Sequence, residues 1–282
     1  MQEAKPSRTA MRVAIRRAAH QSLDNPRVLH DPIAVPILGP AAAAQIEPDR
    51  DDQTGKAMKG LRAFLVARSR LAEDELARAV ERGTEQYVIL GAGLDTFAYR
   101  NPHPKLRVFE VDYSSTQEWK RQRLEAAGIA IPLLATFAPV DFERQTLAEG
   151  LREAGFDANK PTFFSWLGVT MYLTEDAIMT TLEFAGLRPA GGGIVFDYAV
   201  PPSSLRMAER IAFEWMARRV AAAGEPFRTF FDPNDLIQRM KRIGFRAVES
   251  FAADEINERY FKDRTDGLRV TGSLGRLMKA ET

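Results

Sequence analysis

The sequence predicts an α/β layer sandwich built on a mostly parallel sheet. Short apolar runs of strand length recur through its middle, helix capping and stop signals lie between them, and the first run ends in glycines. The 282 residues are expected to form one domain: a helical cap over 1–82, a ligand-binding core over 83–200, and a lid with C-terminal strands over 201–282. Lysine and arginine number 39 against 38 acids, a net charge of +1, so neither a nucleic-acid footprint nor a polybasic membrane anchor is present. Apolar residues at 45% and charged ones at 27% suit a chain with a sizeable core. With no cysteine, disulfides, thiolate catalysis and Cys-ligated metal are excluded, and three histidines (His20, His30, His103) do not suggest a multi-His metal centre. No apolar run reaches the roughly 20 residues that span a bilayer, and the N-terminus lacks an apolar signal core. A soluble, cytoplasmic protein is expected.

Prolines at 26, 32, 36 and 40 break residues 1–46 into an irregular helical region, and EPDRDDQTGKA (47–57) reads as a loop. A long helix follows from about Lys56 to Arg82, with Gly83 as its stop. YVILGAG (87–93) is a continuous apolar run suited to a buried parallel strand, and RVFEVD (107–112) is a second strand ending in an acid. Ser115 to Glu118 reads as a capping box opening a helix that Gly128 closes. PLLATFAPVD (132–141) is the third strand, with a capping box at Thr146 and Glu149 behind it. TFFSWLGV (162–169) and GIVFDYAV (193–200) are the fourth and fifth strands, separated by a helix capped by Thr174. Ser204 is placed to cap a helix with apolar residues Leu205, Ile211, Trp215 and Val220. A helix over 232–245, a strand over 246–251 and an antiparallel edge strand within 268–280 complete the pattern.

Chemistry is expected where the first strand delivers Gly91-Ala92-Gly93-Leu94-Asp95-Thr96. Glycines let the backbone turn sharply and approach a ligand closely. Asp112, nineteen residues beyond Gly93, ends the next strand and can accept from both hydroxyls of an adenosine ribose. A dinucleotide site needs a third small residue, and Thr96 followed by Phe97 stands there instead. The pattern therefore favours a smaller adenosine ligand such as S-adenosylmethionine over a nicotinamide cofactor, with a ligand-free tight turn as the plain alternative. Helical spacing puts Arg68 on the inward stripe of the long helix with Leu61, Leu65, Leu71 and Leu76, while Arg70 points away. A guanidinium there needs an anion. Either an internal acid or the carboxylate of a methionine moiety answers it. Asp141 ends the third strand and, with Thr146 already capping the next helix, is free for an adenine amino group beside Phe142. Trp166 and Tyr172 flank the end of the fourth strand and can floor an acceptor pocket.

These residues resemble the leucine carboxyl methyltransferase-like class I S-adenosylmethionine-dependent methyltransferases, especially the bacterial branch with polyketide and natural-product O-methyltransferases. The matching segments are LHDPIAVPIL (29–38), VARSR (66–70), VILGAGLDT (88–96), VFEVD (108–112), PVDF (139–142), SWLGVTMYLTED (165–176) and GEPFRTFFDP (224–233). The resemblance implies a Rossmann-like seven-stranded sheet with helices on both faces, a helical N-terminal cap and a lid. It implies that Arg68 binds the cofactor carboxylate, that Gly91 lies under the methionine part, that Gly93 is also a cofactor-binding residue, that Asp112 holds the ribose, and that Asp141 and Phe142 contact the adenine. Leu167 stands where members that methylate a protein C-terminus carry Glu, and Phe97 where many bacterial members carry Arg. The expected activity is O-methylation of a small acceptor, with a nicotinamide-dependent oxidoreductase and an inactive S-adenosylmethionine-binding protein as the competing readings. No catalytic base is assigned. Residues 201–235 and the cap are expected to close over the acceptor.

Overall fold

The structure, a computed structural model, describes residues 8–48, 52–140, 145–222 and 226–282. Asp141 and Phe142 lie outside them. The cap comprises α1 (Arg8–Leu23) and, after a 3-10 turn at Pro36–Leu38, the short α2 (Gly39–Ala43). Next comes α3 (Gln53–Glu81), which starts earlier than its apolar stripe suggested because Asp52 caps it, accepting from the Gly55 N–H at 2.7 Å. The core then runs β1 (Gln86–Leu90), β2 (Arg107–Asp112), α4 (Ser114–Ala126), β3 (Ala135–Pro139), α5 (Leu147–Glu153), β4 (Thr162–Trp166), α6 (Glu175–Gly186) and β5 (Gly193–Ala199). The remainder is α7 (Met207–Ala222), α8 (Pro233–Ile243), β6 (Arg246–Phe251), α9 (Ala253–Tyr260) and β7 (Gly275–Glu281).

Among the described residues the sheet has seven strands in the order β3-β2-β1-β4-β5-β7-β6. β1 to β5 are parallel, and β7 runs antiparallel to both β5 and β6. Alternation along each central strand feeds two cores. Val88, Leu90, Phe109, Phe164 and Phe196 pack on the side of α5, α6 and α8, while Tyr87, Ile89, Val108, Phe163 and Val195 meet α3 and α9. α3 lies between the sheet and the cap, so residues 62–69 are buried apart from the half-buried Phe64.

Three local expectations need correction. The last strand is not at the edge. Leu277 and Met278 point to opposite faces and are both fully buried, which only an interior strand achieves, and β6 with its irregular pairing between Arg246 and Glu249 takes the edge instead. Ser115 to Glu118 does not form a capping box: α4 begins at Ser114, behind Tyr113, with no side-chain cap. Ser204 does not cap α7; its hydroxyl donates back to the Pro201 carbonyl at 2.7 Å inside a 3-10 turn. The capping box at Thr146 and Glu149 and the Thr174 cap are both present.

Candidate active site

In a parallel sheet the ligand crevice opens where the chain passes to opposite sides of one strand, outside the carboxyl ends. Here that point lies between β1 and β4, since β2 flanks β1 on the other side. The turn after β1 and the turn after β4 meet there. Gly91 has φ +65°, and a Cβ on it would lie 2.5 Å from Val169 Cγ2. The Gly93 N–H donates to Asp112 Oδ2 at 2.7 Å, and the Tyr113 N–H donates to Oδ1 at 2.8 Å. Asp112 is thereby fixed at the end of β2, half-buried beside the glycine turn. Burial pushes its carboxyl above the ordinary aspartate range and outweighs the backbone N–H groups that favour the charged form.

Arg68 faces inward as its spacing required, with 6% of its surface exposed. Its internal partner is Asp197 of β5, whose Oδ2 accepts from Arg68 Nη1 at 2.7 Å. Asp197 Oδ1 accepts from the Gly168 N–H at 2.5 Å, and its carbonyl accepts from the Thr170 hydroxyl at 2.6 Å. One buried acid thus ties α3 to the turn that follows β4. A Cβ at Gly168, where φ is +79°, would come within 2.9 Å of Arg68 Nη2, so only glycine admits the guanidinium this close to the crevice.

The cap is fastened to the glycine turn by a second polar cluster. Arg17 donates to Asp31 Oδ2 and to Thr96 Oγ1, each at 2.7 Å, and to Asp95 at 3.2 Å; Thr96 in turn donates to Asp31 at 2.6 Å. Arg100 lies 3.3 Å from Asp31 and forks onto Glu73 of α3 at 2.5 and 2.9 Å. Burial raises the Asp31 carboxyl, but the guanidiniums of Arg17 and Arg100 and the hydrogen bonds it accepts outweigh that and hold it below its ordinary value. α1 roofs the turn, since a Cβ at Gly93 would meet Ala10 Cβ at 3.2 Å.

The segment after β4 and α7 share an aromatic cluster. Trp166 is buried at 3% exposure in the core under the β4 turn, and half-buried Tyr172 sits 5.6 Å from the Phe227 ring. Phe213 of α7 completes a group with Phe227 and Phe230 at centroid distances of 5.4 to 6.3 Å. The α7 stripe differs from its expectation: Phe213 is the inward anchor, and Ile211 and Trp215 are 61% and 63% exposed. Phe97 packs edge-on against Tyr87 in the core and not at the crevice mouth.

Among the described residues, none of the three histidines hydrogen-bonds to the turns after β1 and β4. His20 is buried in the cap, bonded to Asp24 through Nδ1 and accepting from the Val28 and Leu29 N–H groups through Nε2. His30 is exposed, and His103 precedes β2 at the opposite end of the sheet. Among the described residues, no group of His, Cys, Asp or Glu is arranged to hold a metal ion, and no helix is long and apolar enough to cross a membrane.

Sequence reasoning singled out Arg68, Gly91, Gly93, Asp112, Trp166 and Tyr172, which the structure places at or beside the turns after β1, β2 and β4. It missed Asp197, Arg17 and Asp31. The signal for Asp197 was present, because a lone acid inside the apolar run GIVFDYAV cannot be buried without a cation.

A family model described as leucine carboxyl methyltransferase matches residues 10–186. The chain belongs to that family. YktD of Bacillus subtilis (strain 168) is 32% identical over 95% of each chain. A protein of Mycobacterium marinum (strain ATCC BAA-535 / M) is 33% identical over 72% of this chain and 68% of its own. Both are named for S-adenosyl-L-methionine-dependent methyl transfer. Among solved structures, one named for a methyltransferase of Thermobifida fusca YX aligns with a TM-score of 0.58, 17% identity and coverage of 96% of this chain and 94% of that one. A duf574 family protein of Streptomyces avermitilis MA-4680 aligns with a TM-score of 0.57, 13% identity and coverage of 96% and 97%. Those two likenesses are of fold.

Proposed function

We propose that this member of the leucine carboxyl methyltransferase family transfers a methyl group from S-adenosyl-L-methionine to an oxygen, carboxyl or hydroxyl, of a small natural-product or polyketide-like acceptor. Methyl transfer with that cofactor is the family-level activity, and the oxygen and the acceptor class are our reading. The observation that carries it is the crevice between β1 and β4, where a glycine turn, a strand-end carboxylate and a buried guanidinium converge within one contiguous set of contacts.

The residues present fit the cofactor. Asp112 is held at the strand end, and hydroxyl donors from a ribose would relieve the desolvation that raises its carboxyl. Arg68 has one nitrogen on Asp197, and its second terminal nitrogen lies close to Gly168 on the turn after β4, a fork suited to a methionine carboxylate. Gly91 and Gly93 leave the turn without side chains beneath the methionine part, and Asp141 and Phe142 are assigned the adenine on family resemblance alone. The cofactor supplies an electrophilic methyl on a sulfonium. The chain's own contribution is to align the acceptor oxygen with that carbon and to exclude water, with Trp166 and Tyr172 as the apolar wall.

A carboxylate acceptor is already nucleophilic near neutral pH and needs no base, which suits a site for which no base is assigned. Thr96 disfavours the nicotinamide alternative further. Its hydroxyl is committed to Arg17 and Asp31, and it occupies the position where a pyrophosphate site needs a small residue. The test incubates the protein with methyl-labelled cofactor and a panel of aromatic and polyketide-like acids and phenols. Label released as methanol by alkali identifies an ester. Binding of the demethylated cofactor without any label transfer would support an inactive binding protein, and binding of NAD alone would remove the methyltransferase reading.

A further inference from the structure

On the side of α3 away from Arg68, a groove of about 680 Å³ runs between α3, α9 and the loop that follows α1. That volume is within the range of small-molecule sites. Four guanidiniums line it: Arg27 from the loop, Arg70 and Arg78 from the outer stripe of α3, and Arg259 from α9. Two carboxylates serve three of them, Arg70, Arg78 and Arg259, and both are already engaged. Asp74 accepts from Arg70 Nε at 2.8 Å and from the Tyr260 hydroxyl at 2.9 Å. Glu75, buried at the groove's edge, accepts from Arg78 at 2.6 Å and Arg259 at 3.1 Å through a single oxygen, with Lys279 3.6 Å away. Arg27 has only the Gln21 carbonyl, which carries no charge.

Positive charge therefore exceeds negative charge by two in one concave place, on a protein whose net charge is only +1. Such a concentration of guanidiniums raises the local anion concentration. Among the described residues, both terminal nitrogens of Arg27 and of Arg70 make no hydrogen bond, and Arg78 uses one of its three nitrogens. These are planar forks of the kind that match phosphate oxygens in pairs. A single carboxylate would satisfy one fork and half of the excess charge. A chain of phosphates spans several forks and neutralises it.

We propose that this groove binds a small molecule bearing two or more linked phosphates, at a site separate from the methyl-transfer crevice. The crevice is reached from the sheet side of α3, where Arg68 points; the groove uses the opposite side, so the two ligands are held by different residues. The site stands independently of the methyl-transfer reading.

The test is titration calorimetry on the full chain at about 150 mM salt, where unstructured surface attraction is screened beyond roughly 8 Å. The probes are inorganic tripolyphosphate, ATP and citrate. Tripolyphosphate is expected to bind once per chain. Arg70→Gln with Arg78→Gln should weaken it at least tenfold; both side chains are about half exposed (46% and 52%), so their loss leaves the fold intact. Arg27→Gln, on the loop, is a second variant expected to weaken binding several-fold. The demethylated cofactor should bind wild type and variants alike. ATP binding as tightly as tripolyphosphate assigns the affinity to the phosphates, and tighter binding assigns it to a nucleotide; either supports the site. No heat with tripolyphosphate at about 1 mM, equal binding of citrate, or unchanged binding by the folded variants overturns it.

Discussion

The two walls of the crevice are held by different physics. The cap side is fastened by charge: Arg17, Asp31, Thr96, Arg100 and Glu73 form a largely buried chain in which Thr96, on the glycine turn, bonds directly to the cap. The other side is fastened by rings: Tyr172, Phe213, Phe227 and Phe230 meet at ordinary aromatic distances, and α7 behind them exposes Met207 and Ile211. Directional bonds with no alternative partners fix one geometry. Apolar contacts tolerate repacking. The lesson is that the half around the glycine turn is built to one shape while the aromatic half can adjust.

The cap seam should therefore be the most sensitive place in the molecule. Asp31→Ala leaves Arg17 and Arg100 without their shared carboxylate at a site with no exposure, and should cost about 3–5 kcal/mol in chemical denaturation. The same seam makes stability depend on acid. Asp31 is held below its ordinary value, and Asp24, where hydrogen bonds from His20 and Arg62 outweigh burial, is brought to about 2. Depressed carboxylates contribute stability that is present above their unfolded value near 4 and is lost as pH falls through the folded one. Unfolding on acidification from pH 4 toward 2 should thus begin in the cap, read by amide exchange in α1. A loss of comparable size from Asp31→Asn and Asp31→Ala would locate the effect in charge; no loss from either would leave the seam without energetic weight.

Arg68 comes next, because it joins the rigid half to the crevice. Arg68→Met strips buried Asp197 of its cation and should itself destabilise by about 3–5 kcal/mol, so cofactor binding has to be read in the double variant Arg68→Met/Asp197→Asn, which buries no unpaired charge. There the demethylated cofactor should bind about 1.5–3 kcal/mol more weakly than to wild type, while methylthioadenosine, which lacks the carboxylate, should hardly change. Equal losses for both ligands would confine Arg68 to its ion pair.

How much of this was readable beforehand follows from the reach of each signal. The strands, the glycine turn, Asp112 and the inward face of α3 rest on local periodicity and spacing, and these were legible. The place of β7 was not, because strand order is decided by pairing across more than seventy residues, and a short run of mixed residues does not reveal that both its faces will be covered. Thr96 was read as an obstacle to a pyrophosphate; that it also anchors the cap depends on Asp31, sixty-five residues away. Arg68 showed that a partner was needed but not which one. Chain-distant pairs of single residues carry no period, so only the folded chain brings them together.

Asp112 should give a smaller effect, confined to binding. Asp112→Ala removes a charged acceptor for ribose hydroxyls and should weaken the demethylated cofactor by about 1.5–3 kcal/mol, at least tenfold. Because it also frees the Gly93 and Tyr113 N–H groups, Asp112→Asn is the control that keeps an acceptor oxygen near the turn. The sign of the pH effect is opposite to that at the cap. A carboxyl raised by burial contributes stability below its unfolded value and loses it as pH rises through the folded one, so Asp112 is a cost near neutrality that ribose donors offset. Cofactor affinity should fall on acidification through the raised value, and Asp112→Asn should flatten that dependence. An unchanged slope in the variant would remove Asp112 from the ribose.

The smallest effect is expected on the outer face of α7. Ile211 is 61% exposed, so Ile211→Ser should change stability by no more than about 0.5 kcal/mol, whereas Phe213→Ala, on the opposite face of α7 in the aromatic group, should cost several times more. The contrast between the two walls then becomes measurable by amide exchange. α7 is attached by apolar contacts and leaves one face in water, so its amides should exchange well before those of α1 in the free protein. The demethylated cofactor alone should protect the turns at 91–97 and 167–172, which meet at the crevice, and leave 207–222 unchanged. Adding an acceptor should slow exchange in 207–222 as the rings close on it. Were α7 to exchange as slowly as α1 without any ligand, the acceptor wall would be as fixed as the cap, and specificity would have to come from the shape already present.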